Sequence, residues 1–334
     1  MTRATWAVVL TVDEPAVLVL ANVAWHLGTG ASEVHVYLDR PDDPVAVELE
    51  TLAGVRVVRC DEAHWQALAP KLGRPSLQMR RQGLNANHAR AQSEADWIVH
   101  LDADEFLHQS APLSREFACF SGLEHEIRFP VWERAYAEGA PITGLFDGVF
   151  RTTTKPLRPM EEAILGADRP FLIDGMAGHS EGKCAVPVQG NWRIGIHWSF
   201  RGKGKETKSA RVPSRAARLL HFDGLTPLHF LVKLARYAGH TEEDLRRLVS
   251  KNRHVQIEAF LKGPMRLHDR VRVLDAEKRD WLAGFGILSE ERFAPETVIA
   301  EVLGYAPDLS VDAFDAALRA RYPEAVEAVE ALGG

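Results

Sequence analysis

Cysteine is scarce in this 334-residue chain, which has Cys60, Cys119 and Cys184 far apart in the sequence. This spacing excludes a cysteine zinc motif and gives no disulfide framework, so a reducing cytosol is the simplest setting. The chain also lacks an apolar run of the ~20 residues that a membrane-spanning helix needs, because Asp13 and Glu14 interrupt the apolar N-terminal segment. We therefore expect a cytoplasmic protein without a transmembrane segment, or one peripheral to the inner face of the membrane.

Basic residues are not in excess either. The 40 Lys and Arg residues stand against 46 Asp and Glu residues, which gives a formal net charge of -6. This balance removes the overall attraction to nucleic acid that a strongly basic domain would have. Hydrophobic residues make up 46% and charged residues 26%, values typical of soluble globular domains. The length allows one large domain or two ordinary ones.

Apolar strands alternate with helical segments in the first third of the sequence. Each predicted strand is a short, β-branched run, and a segment of helical length follows most of them. The predicted strands cover residues 6–12, 33–39, 55–60 and 97–102, and the predicted helices cover residues 16–27, 43–53 and 77–95. This alternation predicts an α/β, doubly wound, mostly parallel sheet, whose ligands usually bind at the carboxyl ends of the strands.

The later sequence changes character twice. Residues 128–200 contain tryptophans, glycines and short β-like runs, which favour antiparallel strands that extend the first sheet. Residues 202–215 are polar and basic, and we expect a mobile loop there. Helical patterns dominate from residue 227 onward. We predict one α/β domain over residues 1–240 and a helical C-terminal region over residues 241–334.

The strongest chemical signal is WIVHLDADEFL at residues 97–107, an apolar strand that ends in the carboxylates Asp102, Asp104 and Glu105. Like charges at this spacing repel one another unless a cation lies among them. Carboxylate oxygens suit Mg²⁺ or Mn²⁺, which keep open positions for substrate phosphates. The alternative is an ordinary strand-end turn with solvated acids, and the flanking sequence favours the metal site.

The segment NHARAQSEADWIVHLDADEFL at residues 87–107 resembles the DxD region of family-two-like glycosyltransferases with the GT-A fold, in particular a bacterial subgroup with a DxDEF ending. Other pieces of the chain resemble this family in the same order over about residues 5–240. They are Asp13-Glu14, Trp25-His26-Leu27-Gly28, the acidic turn that starts at Asp39, Trp132, Gly182-Lys183 and LLHFDG at residues 219–224.

The resemblance implies a metal-dependent enzyme that uses a nucleotide-sugar, with UDP-sugars as the expected donors, on a bacterial polysaccharide or a related glycan acceptor. Asp13, Glu14 and Asp39 would contact the base and ribose of the donor. Asp102 would contact the ribose or a water on the metal, and Asp104 would bind Mn²⁺ or Mg²⁺. His221 would complete the metal site, with His197 as its competitor and a structural histidine as the plainer alternative. Asp39 could instead cap the helix that follows it.

Four basic residues are candidates for contacts with the donor diphosphate. Arg81 lies on the helix before the acidic motif, and Lys183 lies in the Gly-Lys pair. Lys203 and Lys205 belong to the basic segment, which could fold over the nucleotide and exclude water. A solvated surface role is the alternative for each of the four.

The resemblance also implies inversion at the sugar, which requires a base for the acceptor hydroxyl. Glu133, next to Trp132, and Asp147 are the carboxylates in the region where the family places its acceptor. We expect Glu133 to be the base.

Two other functions remain open from the sequence. A nucleotidyltransferase would carry a glycine-rich loop after its first strand, but Asp13-Glu14-Pro15 stands there. An inactive scaffold that binds a glycan or a protein through the C-terminal helices would not need the acidic motif. A homodimer built on those helices is a further expectation.

Overall fold

The computed structural model describes residues 3–122, 125–202, 207–208, 210–237, 239–264 and 266–333. Its strands are Trp6–Val12 (β1), Glu33–Leu38 (β2), Val55–Arg59 (β3), Trp97–Leu101 (β4), Glu105–Gln109 (β5), His125–Phe129 (β6), Val131–Ala137 (β7), Val149–Arg151 (β8), Lys183–Pro187 (β9), Trp192–Ile194 (β10), Ser199–Arg201 (β11), Thr207–Lys208 (β12), Ala210–Pro213 (β13), Ala217–His221 (β14), Val273–Leu274 (β15) and Leu288–Ser289 (β16).

The α-helices are Ala16–Gly28 (α1), Val45–Leu49 (α2), Glu62–Leu68 (α3), Gln78–Gln92 (α4), Leu113–Cys119 (α5), Glu161–Leu165 (α6), Pro227–Ala235 (α7), Glu242–Leu248 (α8), Lys251–Lys262 (α9), Leu267–Arg272 (α10), Ala276–Gly284 (α11), Glu296–Leu303 (α12), Val311–Arg321 (α13) and Pro323–Ala331 (α14). Two short 3₁₀ helices cover Lys155–Met160 and Gly166–Phe171. None of the helices in the described ranges is long and apolar enough to cross a membrane.

The chain divides into two compact units. The first unit comprises residues 1–130, 181–219 and 295–307, and the second comprises residues 131–180, 220–294 and 308–334. This division differs from the boundary predicted near residue 240. The C-terminal region contributes to both units, since α12 returns to pack against α1 in the first unit while α9 packs against α7 in the second.

A seven-stranded sheet with the order β13-β6-β9-β4-β1-β2-β3 forms the centre of the first unit. The four strands β3, β2, β1 and β4 run parallel, and β9 extends the sheet as a strand antiparallel to both of its neighbours, β4 and β6. The α/β class with a mostly parallel sheet and an antiparallel extension, predicted from the sequence, is confirmed.

Burial on both faces of β1 explains its continuous apolar sequence. Ala7 and Val9 lie in a core cluster that includes Tyr37, Trp65 and residues of α4, and their neighbours on the opposite face of the strand are equally buried. A strand covered on both sides needs apolar residues at every position rather than at alternate ones.

The second unit contains a smaller sheet, in which β8 pairs antiparallel with β7 and β16, and β15 pairs parallel with β7. Ala135, Leu274 and Leu282 belong to its apolar core. Local sequence signals set the start of α7, where the Thr226 hydroxyl accepts a hydrogen bond from the backbone N–H of His229 and Pro227 occupies the first turn.

Candidate active site

Carboxylates follow three neighbouring parallel strands of the first unit. Asp13 follows β1, Asp39 follows β2, and Asp102 follows β4, with β1 between the other two strands. The backbone N–H of Asp39 donates to the carbonyl of Val12 at 2.9 Å, which continues the parallel pairing to the end of β1. The three side chains therefore share the carboxyl edge of the sheet, as expected for a ligand site of this fold.

Asp39 is held by two arginines. Arg81 donates from Nε to Oδ1 and from Nη2 to Oδ2, both at 2.8 Å, and Arg74 adds a bond to Oδ2 at 2.9 Å. Arg81 also donates from Nη1 to the carbonyls of Pro75 and Ser76. Arg81 is 8% exposed, and these contacts join α4, the 75–76 loop and the end of β2. Arg81 thus positions Asp39 in this structure and does not face solvent as a phosphate-binding side chain would.

Asp13 forms an ion pair with Arg40, whose Nε lies 2.8 Å from Oδ1. Arg40 belongs to the turn after β2, so this pair joins the turns that follow two adjacent strands. Glu14 is half-buried beside it. Whether Asp13 and Glu14 contact a nucleotide stays a prediction.

Asp102 and Glu105 surround a buried lysine. The Nζ atom of Lys183 lies 2.8 Å from Oδ2 of Asp102 and 3.4 Å from Oε2 of Glu105. Oδ1 of Asp102 accepts from the side-chain amide of Gln82, and Oε2 of Glu105 accepts from the backbone N–H of Asp102 at 2.8 Å. Burial alone would lower the pKa of Lys183, but the two carboxylates raise it well above its usual value. The two carboxylates therefore favour the protonated, ammonium form of Lys183.

The backbone of the acidic turn is fixed by α1. The side-chain amide of Asn22 donates to the carbonyls of Ala103 and Glu105, at 3.0 and 2.8 Å. The indole of Trp25 donates to the carbonyl of Leu107 at 3.0 Å. Trp25 belongs to the Trp-His stretch singled out in the sequence.

His26 completes this support. Its Nε2 accepts from the backbone N–H of Leu107 at 3.2 Å, and its Nδ1 lies 2.8 Å from the carbonyl of Asn22. Burial lowers the pKa of His26 to about 4, so the ring is neutral and can accept at Nε2. Asp104, in the turn held by these contacts, is 6% exposed.

Glu133, expected to be the catalytic base, is a fully buried ion-pair partner in the second unit. Its carboxylate accepts from the backbone N–H groups of Ala177 and Gly178, and lies 3.1 Å from both Arg151 and Arg272. Burial alone would raise its pKa, but Arg272 and Arg151 lower it to about 2. A carboxylate with its oxygens engaged and so low a pKa is poorly suited to accept a proton, and the geometry gives Glu133 a structural role.

Asp147 stabilises its own turn in the second unit. Its Oδ2 accepts from the backbone N–H groups of Gly144 and Thr143, at 2.7 and 2.9 Å, and from the Thr143 hydroxyl at 3.2 Å. Burial would raise its pKa, but these hydrogen bonds lower it. These contacts give Asp147 a role in its own turn, and a role as the base stays a prediction.

His221 ends β14 in the second unit and is 6% exposed. Its ring centroid lies 4.6 Å from that of His179, and its Nδ1 lies 4.0 Å from Oε1 of Glu133. In the first unit, the competitor His197 contacts the carbonyl of Gly182 through Nδ1 at 3.0 Å. That contact gives His197 a local role beside Lys183, and metal binding by His221 stays a prediction.

Lys203 and Lys205 lie outside the described residues. The described parts of the basic segment differ from the expected mobile loop, because residues 207–208 and 210–213 form β12 and β13. Arg211 of β13 lies 2.9 Å from the buried Glu126 and packs over the ring of Trp198. These contacts, with the parallel pairing of β13 and β6, account for the ordered strand.

Sequence reasoning did not identify Gln82, Arg74 and Asn22, which hold Asp102, Asp39 and the acidic turn. Their only sequence signal was a polar residue on a helix or loop near the predicted site. Such residues are common on exposed surfaces, so the group that each of the three binds could be recognised only from the three-dimensional contacts.

No protein-family model and no curated protein matches the chain. Glucosyl-3-phosphoglycerate synthase from Mycobacterium tuberculosis, in complex with phosphoglyceric acid, is similar over 55% of this chain and 57% of that chain, with 17% identity and a TM-score of 0.29. The same enzyme with Mn²⁺, uridine diphosphate and phosphoglyceric acid matches over 55% and 56%, with 18% identity and a TM-score of 0.26. S. aureus TarS 1-349 matches over 97% and 89%, with 10% identity and a TM-score of 0.27. The chain spans little more than half the length of the synthase, and TM-scores this low carry no argument about the fold or the activity.

Proposed function

We propose that this protein is a metal-dependent glycosyltransferase that moves a sugar from a nucleotide-sugar, a UDP-sugar, to a glycan or polysaccharide acceptor. The observation that carries the proposal is the alignment of Asp13, Asp39 and the acidic turn at Asp102 along the carboxyl edge of one parallel sheet. The resemblance of this turn to the DxDEF motif supports a nucleotide-sugar as the ligand.

The metal-ligand atoms that the acidic turn offers fit Mg²⁺ or Mn²⁺. Its side chains offer carboxylate oxygens, which these hard cations prefer. Asp104 is the candidate ligand in the turn that the resemblance implies, and Lys183 lies beside Asp102 and Glu105 of the same turn. A bound divalent ion would neutralise the negative charge that develops on the leaving diphosphate.

The chain's own residues would orient the donor. We infer that Asp13 and Asp39 contact the base and ribose of the nucleotide, because they follow neighbouring strands at the carboxyl edge of the sheet. Arg40 and Arg81 form ion pairs with these two carboxylates. Held side chains of this kind lower the cost of ordering the site when the ligand binds. Inversion at the sugar stays a prediction, and so does a glycan acceptor.

Calorimetric titration of the full chain with UDP, in the presence of Mn²⁺ or of EDTA, tests the proposal. We expect UDP to bind in a Mn²⁺-dependent manner, and Asp104→Asn to weaken this binding at least about tenfold. The control is Glu94→Gln, which removes an exposed carboxylate just before the amino end of β4 and should leave binding unchanged. UDP binding that is equal in EDTA and Mn²⁺, or equal in Asp104→Asn and the parent, would contradict the metal role.

A further inference from the structure

We infer that residues 70–80, which join α3 to the first turn of α4 in the first unit, form a docking surface for an anionic lipid bilayer. The exposed apolar side chains of this segment enter the boundary between headgroups and acyl chains, and its exposed basic side chains contact the headgroups. The inference goes beyond the proposed function and does not depend on a metal or a nucleotide.

The segment exposes large apolar side chains to solvent. Leu72 is 64% exposed, Met79 is 46% exposed and Leu77 is 42% exposed. Apolar residues exposed singly are common on soluble proteins, but here three lie within eight residues of one short segment. Apolar side chains concentrated in this way mark a surface that contacts another protein or a membrane.

Polar contacts hold the middle of the segment against the first unit. Arg74 donates to Oδ2 of Asp39 at 2.9 Å, and Nη1 of Arg81 donates to the carbonyls of Pro75 and Ser76 at 3.0 and 2.8 Å. Pro75 is itself buried. The exposed apolar side chains therefore belong to an anchored segment, which lies beside the carboxyl edge of the sheet through its contact with Asp39.

The charge around the segment is positive, in contrast to that of the whole chain. Residues 63–93 contain five Lys and Arg residues and no Asp or Glu, although acids outnumber bases in the full sequence. Lys71 and Arg80 are exposed, and neither forms an ion pair with another residue of the described ranges. Asp39, which the segment contacts, is already paired with two arginines. Because the Debye length at physiological salt is about 8 Å, more distant acids do little to offset this local charge.

An anionic bilayer is the partner that matches both properties of the segment. Its headgroups attract basic side chains, and its acyl region accepts aliphatic side chains that water disfavours. A soluble polyanion would pair with the basic side chains but leave the apolar ones in water. Nucleic acid is disfavoured further, because residues 70–80 contain no aromatic side chain on which a base could stack.

Sedimentation of the full chain with lipid vesicles, without metal ions or UDP, tests the inference separately from the proposed function. Vesicles of phosphatidylcholine alone are compared with vesicles of phosphatidylcholine and phosphatidylglycerol in equal amounts. We expect at least about tenfold tighter binding to the mixed vesicles, since each basic residue near an anionic surface contributes about fivefold in affinity. Salt at about 1 M, where the Debye length is about 3 Å, should weaken this binding. Equal binding to the two kinds of vesicle, or binding to neither, would overturn the inference and leave metal-dependent UDP binding unaffected.

Substitutions separate the apolar contribution from the basic one. The double variant Leu72→Ser, Met79→Ser should bind the mixed vesicles at least about tenfold more weakly than the parent. The double variant Lys71→Gln, Arg80→Gln should lose affinity by a similar factor and show less dependence on salt. Leu261→Ser is the matched control, since Leu261 on α9 of the second unit is 48% exposed, and it should bind as the parent does.

Two outcomes of this series would reject a bilayer as the partner. Loss of binding in the basic variant but not in the apolar variant would indicate adsorption of a polyanion to the surface without insertion of side chains. An equal loss in Leu261→Ser would show that the binding does not depend on the 70–80 segment. Urea unfolding of each variant checks that these exposed substitutions leave the chain folded.

Discussion

Arg81 binds Asp39 through two parallel hydrogen bonds of 2.8 Å, from Nε to Oδ1 and from Nη2 to Oδ2. Both side chains are nearly buried, so the pair is shielded from solvent. A bidentate pair of this kind fixes the orientation of the carboxylate as well as its position. The second carboxylate of the sheet edge is thus set in place by α4 before any ligand binds.

Arg81→Gln should therefore destabilise the chain, because it leaves a buried carboxylate with Arg74 as its remaining arginine partner. We expect a loss of about 2–4 kcal/mol in the free energy of unfolding, measured by urea denaturation. Arg74→Gln is the matched control. Arg74 contacts the same carboxylate, but its side chain is 49% exposed, so its loss should cost about 1 kcal/mol or less. Equal effects of the two changes would argue against the bidentate pair as the main support of Asp39.

The low pKa of Glu133 predicts that the free energy of unfolding depends on pH. Its pKa in the folded chain is about 2, below the ordinary value of 4.5. The ionised carboxylate therefore stabilises the fold above about pH 4.5, and this contribution is lost as the pH falls toward 2. Its size is about 3 kcal/mol, from about 1.4 kcal/mol per unit of pKa.

Urea unfolding of Glu133→Gln across pH 2–7 measures this contribution. The variant should be less stable than the parent at pH 7, and the difference should shrink as the pH falls. Asp147 provides a comparison, since Asp147→Ala removes only turn hydrogen bonds and should cost about 1 kcal/mol. A constant difference between Glu133→Gln and the parent over the whole pH range would contradict the low pKa.

The close packing of α12 against Gly28 of α1 predicts a steric clash when a side chain is added at this glycine. A Cβ atom at Gly28 would lie 2.4 Å from Cγ1 of Val298, which is too close for ordinary packing. Gly28→Ala should therefore destabilise the chain by about 1–3 kcal/mol in thermal or urea unfolding.

Two further variants test the origin of that effect. Val298→Ala removes the clashing methyl groups and should restore part of the stability lost in Gly28→Ala. Gly83→Ala on α4 is the control, because the added Cβ would point into open space beyond the backbone of its own helix. This change should be neutral or stabilise the chain by up to about 1 kcal/mol. Destabilisation of the same size at both glycines would point to the backbone rather than to the packing.

The parallel strands could be predicted from the sequence because their signal is local. The run from Trp6 to Val12 is apolar at every position, and β1 has the predicted bounds. The helix predicted over residues 43–53 is shorter, at Val45–Leu49, because Pro44 and the turn after residue 49 limit it. The helix Glu62–Leu68, capped by Asp61, lay in a stretch that gave no clear periodicity.

The position of the carboxylates at the carboxyl edge of the sheet was also predictable, since strand ends can be read from the sequence. The partners of these carboxylates could not be predicted. Lys183 is 81 residues from Asp102 in the sequence, and only the antiparallel pairing of β9 with β4 brings the two together. Glu133 illustrates the same difficulty. Its position beside Trp132 suggested an acceptor site, whereas its burial depends on Arg151 of the paired strand β8 and on Arg272, which lies far along the chain.

Metal-dependent donor turnover can be measured as release of UDP from a panel of UDP-sugars in Mn²⁺ and in EDTA. We expect the parent chain to release UDP from at least one sugar in Mn²⁺, and EDTA to abolish the release. Asp104→Asn should lower the rate at least about a hundredfold, while Glu94→Gln should not change it. Turnover that is unaffected by EDTA and by Asp104→Asn, or release of pyrophosphate in place of UDP, would be inconsistent with a metal-dependent glycosyltransferase.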